Sequence, residues 1–97
     1  MADTYTGKVT GTDNYASSVT ISKTSAKVIT VNTKDLRDNS TFPVTGITMT
    51  SATAFSGLYD PLNNGKGYTF TGTVSGSALT MTIATGGKVF DTFKGNK

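Results

Sequence analysis

Apolar and polar residues alternate along most of this chain with a period of two. In Tyr68-Thr69-Phe70-Thr71-Gly72-Thr73-Val74, and again in Leu79-Thr80-Met81-Thr82-Ile83, threonines fill the positions between the apolar ones. Successive side chains of a β-strand point to opposite faces, so this pattern predicts strands with one apolar face and one hydroxyl face. Residues 4–10 set Tyr5, Gly7 and Val9 against Thr4, Thr6, Lys8 and Thr10, then stop at the turn formers Gly11-Thr12-Asp13-Asn14. Residues 17–23 carry Val19 and Ile21 on one face, residues 27–33 carry Ile29 and Val31, and Thr24-Ser25 between them predicts a hairpin. Residues 34–40 could make a single helical turn, but their one apolar residue, Leu36, cannot hold a longer helix against a core. They read as a loop with Leu36 tucked inward.

Residues 41–50 read as one long bent strand. Phe42 and Val44 share a face, Gly46 interrupts, and Ile47 and Met49 continue with the parity shifted by one. A bulge at Gly46 returns both pairs to the same side. Pro43 cannot donate to a ladder, which places the start of this strand at an edge, a bend or a sheet corner. Residues 54–59 form a short strand, 60–67 are the clearest loop, and three clean strands follow at 68–75, 78–84 and 88–94. Gly76-Ser77 and Gly86-Gly87 between them suit tight hairpins.

Eight short strands linked mostly by tight turns predict an all-β fold, a small antiparallel up-and-down meander barrel, with a β-sandwich as the alternative. The chain, residues 1–97, is one domain. Strands this short leave an interior filled by Val19, Ile21, Ile29, Val31, Phe42, Val44, Ile47, Met49, Phe55, Tyr68, Phe70, Val74, Leu79, Met81, Ile83 and Phe93, with Tyr5 completing the core. Any ligand cavity is then shallow or open to one end.

Composition removes whole classes of chemistry. The chain has no Cys, His, Trp, Glu or Gln; its six acids are all Asp and its single arginine is Arg37. Without histidine there is no Ser-His-Asp triad, and no catalytic residue or cofactor is predicted. The net charge of +3 is spread singly along the chain, with no basic run or interleaved aromatic face, so nucleic acid is not an expected partner. No stretch approaches the ~20 apolar residues of a membrane-spanning helix. The expected location is extracytoplasmic, secreted or at the cell surface or periplasm with a leader absent from this chain, the cytoplasm being the alternative.

The stretch Tyr68-Thr-Phe-Thr-Gly-Thr-Val-Ser-Gly-Ser-Ala-Leu-Thr-Met-Thr-Ile83, closed by Thr92-Phe93-Lys94-Gly95, resembles the ending of calycin-like and lipocalin-like barrel domains of secreted or lipid-anchored Bacteroidetes proteins. The opening Thr4-Tyr5-Thr6-Gly7 is similar too. The resemblance implies an extracytoplasmic β-barrel with small apolar ligands as the default.

Candidate binding residues follow from side-chain type and position. Tyrosine offers an apolar face with a polar handle, and Tyr15 and Tyr59 lie beside turns, where a sugar or protein partner could reach them. Phe55 and Met49 are the expected apolar contacts for a small ligand. Asp60, Asn63 and Asn64 offer oxygens for calcium but in the spacing of a plain turn, so no metal site is predicted. Asp35 and Asp38 flank Arg37 and read as local ion pairing or a metal or sugar site; Asp91, between Phe90 and Phe93, reads as a rim residue. The threonine pairs could order water or bind ice, but they recur at no fixed period and read as a soluble β-branched exterior. The function this supports is a non-catalytic barrel module binding a small apolar ligand, a glycan or a protein surface. The alternative is a structural protein of a phage particle or bacterial surface, working through protein contacts or self-association.

Overall fold

A computed structural model describes residues 2–60 and 67–97. Eight antiparallel strands pair in chain order, and the last pairs with the first to close a barrel. They are β1 (Thr4–Gly11), β2 (Tyr15–Lys23), β3 (Val28–Asp35), β4 (Ser40–Ser51), β5 (Ala54–Tyr59), β6 (Tyr68–Ser75), β7 (Ala78–Thr85) and β8 (Lys88–Asn96). The up-and-down barrel is thus the fold, and the sandwich is not. No helix among the described residues is long and apolar enough to cross a membrane.

The local signals work as their chemistry dictates. Gly86 and Gly87 both take positive φ, 58° and 78°, as a two-residue hairpin between Thr85 and Lys88 requires. Ile29 pairs with Ile47 and Val31 with Val44, so Thr45 and Gly46 together stand opposite Thr30, and Gly46 has φ 71°. The bulge expected at Gly46 is therefore present, and it returns Val44 and Ile47 to the interior. Similar shifts leave Thr50 extra in β4 and Phe90 extra in β8. Pro43 pairs across to Asn32 in a stretch of β4 that has β3 on one side only, since β5 pairs with β4 only from Thr48 onward. Its missing N–H is tolerated there.

Thirteen apolar side chains fill the interior at 4% exposure or less. Val9 is among them, on the apolar face that the alternation gave it with Tyr5, although it was not in the expected interior set. Glycines on the inner face make room for the large rings. Gly72 pairs with Phe55, and a methyl group on Gly72 would run into that ring; one on Gly95 would meet the Phe93 ring. Gly7 and Gly95 face each other across the β1/β8 seam, and a methyl group on Gly7 would strike the Lys94 carbonyl oxygen.

Three expectations about the core are corrected. Phe42 and Tyr68 are 42% and 41% exposed, because they stand at the ends of their strands, beyond the last filled layer. Leu36 is 39% exposed. The turn holding it is set by hydrogen bonds, not burial: the Asn39 N–H donates to the Asp35 carbonyl at 2.8 Å, and the Ser40 N–H to Asp38 Oδ1 at 3.0 Å. Met49, Val74 and Ile83 pack against the core from partly buried positions rather than within it.

On the outer face the register does something the sequence spacing conceals. Thr48, Ser56, Thr71, Thr82, Thr92 and Thr10 are successive partners across β4, β5, β6, β7, β8 and β1, forming one continuous hydroxyl row.

Three stability outcomes follow. Gly72→Ala overpacks the Phe55 ring and is expected to cost about 1–3 kcal/mol in urea unfolding. Gly46→Ala meets open space and costs only the left-handed strain of about 1–2 kcal/mol; a larger loss at Gly46 than at Gly72 would contradict this packing. The buried Tyr5 hydroxyl has no hydrogen-bond partner among the described residues. Removing an unpaired buried hydroxyl relieves a desolvation cost, so Tyr5→Phe is expected to hold or raise the urea midpoint, by up to about 2 kcal/mol in stability.

Candidate binding site at the open end of the barrel

The turns after β1, β3 and β7 lie at one end of the barrel, with the end of β5 and the start of β6; the turns after β2, β4 and β6, the start of β1 and the end of β8 lie at the other. At the first end the backbone ladder between β4 and β5 runs out, so the barrel splays. Side chains bridge the gap: Phe42 from the start of β4 packs edge-on against Tyr59 from the end of β5, with centroids 4.9 Å apart and planes at 71°. Across the mouth, Tyr68 and Phe90 form a second pair at 5.5 Å and 57°. Offset and edge-to-face contacts of this kind are the favoured aromatic arrangements. Between the two pairs lies a cleft of about 210 Å³ lined by Thr33, Phe42, Tyr68, Phe70, Ile83 and Phe90. Phe70, 3% exposed, belongs to the core beneath it.

A second depression of about 220 Å³ shares Thr33 and Phe42 with the cleft and adds Tyr15, Ser17, Lys34, Asp35, Ser40 and Thr41. Ser17, buried at 2%, is committed to structure, its hydroxyl donating to the Lys34 carbonyl at 2.8 Å. Above this depression Arg37 organises the rim. Its Nε donates to both oxygens of Asp35 at 3.1 Å, Nη2 reaches Asp35 Oδ2 at 2.7 Å, and Nη1 reaches Asp13 Oδ2 at 2.9 Å. The guanidinium also stacks 4.3 Å above the Tyr15 ring centroid. Ion pairing at this rim therefore joins Arg37 to Asp35 and Asp13, whereas Asp38 bonds the Ser40 N–H.

Electrostatics follow this geometry. The Arg37 hydrogen bonds hold the Asp13 and Asp35 carboxyls below the ordinary carboxylate value and raise the guanidinium further still. The Ser40 N–H lowers Asp38. Burial, then the nearby Asp91 and Asp35 charges, push the Tyr15 phenol up. Asp91 sits half-buried at the rim, its Oδ1 accepting from the Thr12 N–H at 3.2 Å and from the Thr12 hydroxyl at 3.1 Å. Among the described residues no three acids come together in a way that could hold a metal ion. Of the calcium candidates, Asn63 and Asn64 lie outside the described residues.

The four residues singled out from sequence separate in space. Tyr15 and Tyr59 are at the mouth, both half-buried against the core. Phe55 is 1% exposed, under Gly72 in the core, and presents no surface to a ligand. Met49 is at the opposite end, beside an open depression of about 510 Å³ lined also by Lys23, Ala26, Lys27, Thr50, Ser51 and Ala52. That depression is larger, but it is framed by lysine stems and turn residues. The mouth residues that sequence reasoning assigned elsewhere are Phe42 and Tyr68, taken as core, and Phe90, taken only as a neighbour of Asp91. Their shared signal was available: each aromatic stands within three residues of the end of its strand nearest the mouth.

No family model, curated protein or solved structure matches this chain. The fold and the site's own chemistry carry the functional reading.

The rim gives a pH signature. Because Asp13 and Asp35 have depressed values when folded, their pairing with Arg37 stabilises the chain above the ordinary carboxylate range. That contribution is lost as pH falls through the depressed values, below about pH 4. Urea titrations of the native protein and Arg37→Gln are expected to differ by a constant margin from pH 5 to 7 and to converge toward pH 2. A margin that stayed unchanged down to pH 2 would show that stacking on Tyr15, not ion pairing, is what Arg37 contributes.

Proposed function

We propose that this chain is a non-catalytic binding module that holds a small apolar group at the open end of its barrel. The carrying observation is the cleft between the Phe42–Tyr59 and Tyr68–Phe90 ring pairs. Soluble proteins bury aromatic rings where they can. Here two wall residues, Phe42 and Tyr68, stay about two-fifths exposed around one concavity. The packed interior excludes a ligand from the barrel axis, and the cleft's 210 Å³ is below the roughly 300–1,000 Å³ of drug-sized pockets. It suits one ring or one branched head of a ligand. The calycin-like, lipocalin-like resemblance supports the same reading, because such barrels take small apolar ligands, and it carries with it an extracytoplasmic location.

A second reading, assembly through protein contacts, draws on the first half of β4, which has no ladder on its β5 side, and on Leu58 and Val89, which are 62% and 58% exposed. Pro43 in that edge opposes strand addition, and the exposed aliphatic residues stand singly, which ordinary surfaces tolerate. The mouth is therefore the better supported site.

The test is nitrogen-15 shift mapping during titration with small aromatic and branched aliphatic probes. The expected shifts cluster at Thr33, Phe42, Phe70, Ile83 and Phe90, and Phe42→Ala weakens binding about fivefold. Shifts confined to Lys23, Lys27 and Met49 would move the site to the other end. Sedimentation showing stable oligomers with no probe binding would favour assembly.

A further inference from the structure

We propose that the group this cleft takes is cationic, the alkylated ammonium head of a small free molecule, held against ring faces and drawn in by carboxylates at the same end. The inference rests on the mouth being the binding site.

Three observations converge. The first is the wall. Phe42, Tyr68, Phe70 and Phe90 all line one space of about 210 Å³, and the planes of Tyr68 and Phe90 within it are inclined at 57°. Four rings lining one space, two of them inclined to each other, supply the negative quadrupole faces to which a rounded cation is attracted. The second is a shortage of hydrogen-bonding groups. Thr33 Oγ1 donates to the Phe42 carbonyl at 3.3 Å, which leaves the Tyr68 hydroxyl as the one side-chain polar group of the lining without a hydrogen-bond partner among the described residues. A sugar or a carboxylate would lose hydration there without replacing it, whereas a fully alkylated ammonium brings no donor that must be satisfied.

The third observation is charge placement. Asp13, Asp35, Asp38, Asp60 and Asp91 all lie at the mouth end, against Lys34, Arg37 and Lys88 among the described residues; only Asp3 lies at the other end. Arg37 is already tied to Asp13 and Asp35. The chain uses the same recognition chemistry on itself, since Arg37 stacks on the Tyr15 ring while carboxylates neutralise it from the side. Tyr68 and Phe90 form a ring pair at the cleft, and Asp91, next in the chain after Phe90, accepts from Thr12 at the same end of the barrel.

Choline chloride and its uncharged isostere 3,3-dimethylbutan-1-ol separate charge from shape. Titrated at constant ionic strength into the nitrogen-15-labelled chain, choline is expected to shift the cleft residues with a Kd about tenfold below that of the isostere. Phe90→Leu keeps apolar bulk but removes the π face. It should weaken choline about fivefold and leave the isostere within about twofold, with Tyr68→Leu as the replacement should Phe90→Leu lose its dispersed spectrum. Asp91→Asn should weaken choline alone. Equal affinity for the two probes overturns the cationic preference and leaves the apolar mouth standing. No shift at the cleft with either probe overturns both. Cosedimentation with phosphatidylcholine vesicles without binding of free choline also overturns the proposal, by moving the head group onto a membrane surface.

Discussion

Closure of the barrel at the β1/β8 seam is the constraint on which the rest of this structure depends. A meander left open would expose two strand edges, and closing it removes them. Strands this short must close around a narrow interior, and at the seam Gly7 and Gly95 stand opposite one another with no room for a methyl group on either. Closure also forces curvature. The bulges at Gly46, Thr50 and Phe90 supply it by bending single strands while the inward side chains stay inward. Gly72 under Phe55 belongs to the same economy, in which each large ring occupies space that a neighbouring strand leaves empty.

That constraint decides where function can reside. Thirteen side chains leave the barrel axis closed to a ligand. Among the described residues, the stretch beyond the short β4/β5 ladder is where backbone pairing stops holding the circumference, and there aromatic contacts take over from the backbone. Side-chain contacts rearrange more cheaply than a ladder, because no backbone donor or acceptor is stranded when a ring moves. The segment that lets the barrel splay thus also builds a strongly aromatic concavity. Pro43 connects the two facts: it cannot donate to a fourth-to-fifth strand ladder, and it is the next residue after Phe42.

The fold was legible in the sequence because alternation is a local signal. A period of two marks a strand whatever it pairs with, Gly86-Gly87 marks its hairpin, and the parity break at Gly46 marks its bulge. The site was less legible because exposure is set by height along the barrel, which alternation does not report. Phe42 and Phe70 have the same inward parity, yet one is 42% exposed and the other 3%, since only the second has a filled layer around it. Phe55 and Met49, expected as apolar ligand contacts, lie apart from the mouth for the same reason: one is in the core and the other at the far end. Arg37 pairing with Asp13 crosses from the β3–β4 turn to the β1–β2 turn, a contact visible only once register is known.

Register also changes the meaning of the threonines. Counted along the chain, the 20 threonines show no fixed period, yet pairing places Thr48, Ser56, Thr71, Thr82, Thr92 and Thr10 in one row. A row in register is half of what a flat hydroxyl template needs; the other half is flatness, which a closed barrel denies. Each strand turns its neighbour away around the circumference, so the hydroxyls diverge as they leave the surface. One rigid planar partner can meet only a few of them at once. Water, which has no such planarity to satisfy, can meet them all, and the row serves as an uncharged hydrated wall. Beside it Lys8 and Lys94 stand directly opposite each other, a like-charge pair that exposure and solvent make tolerable. Concavity, aromatic rings and carboxylates coincide instead at the end of the barrel, the place proposed above for recognition.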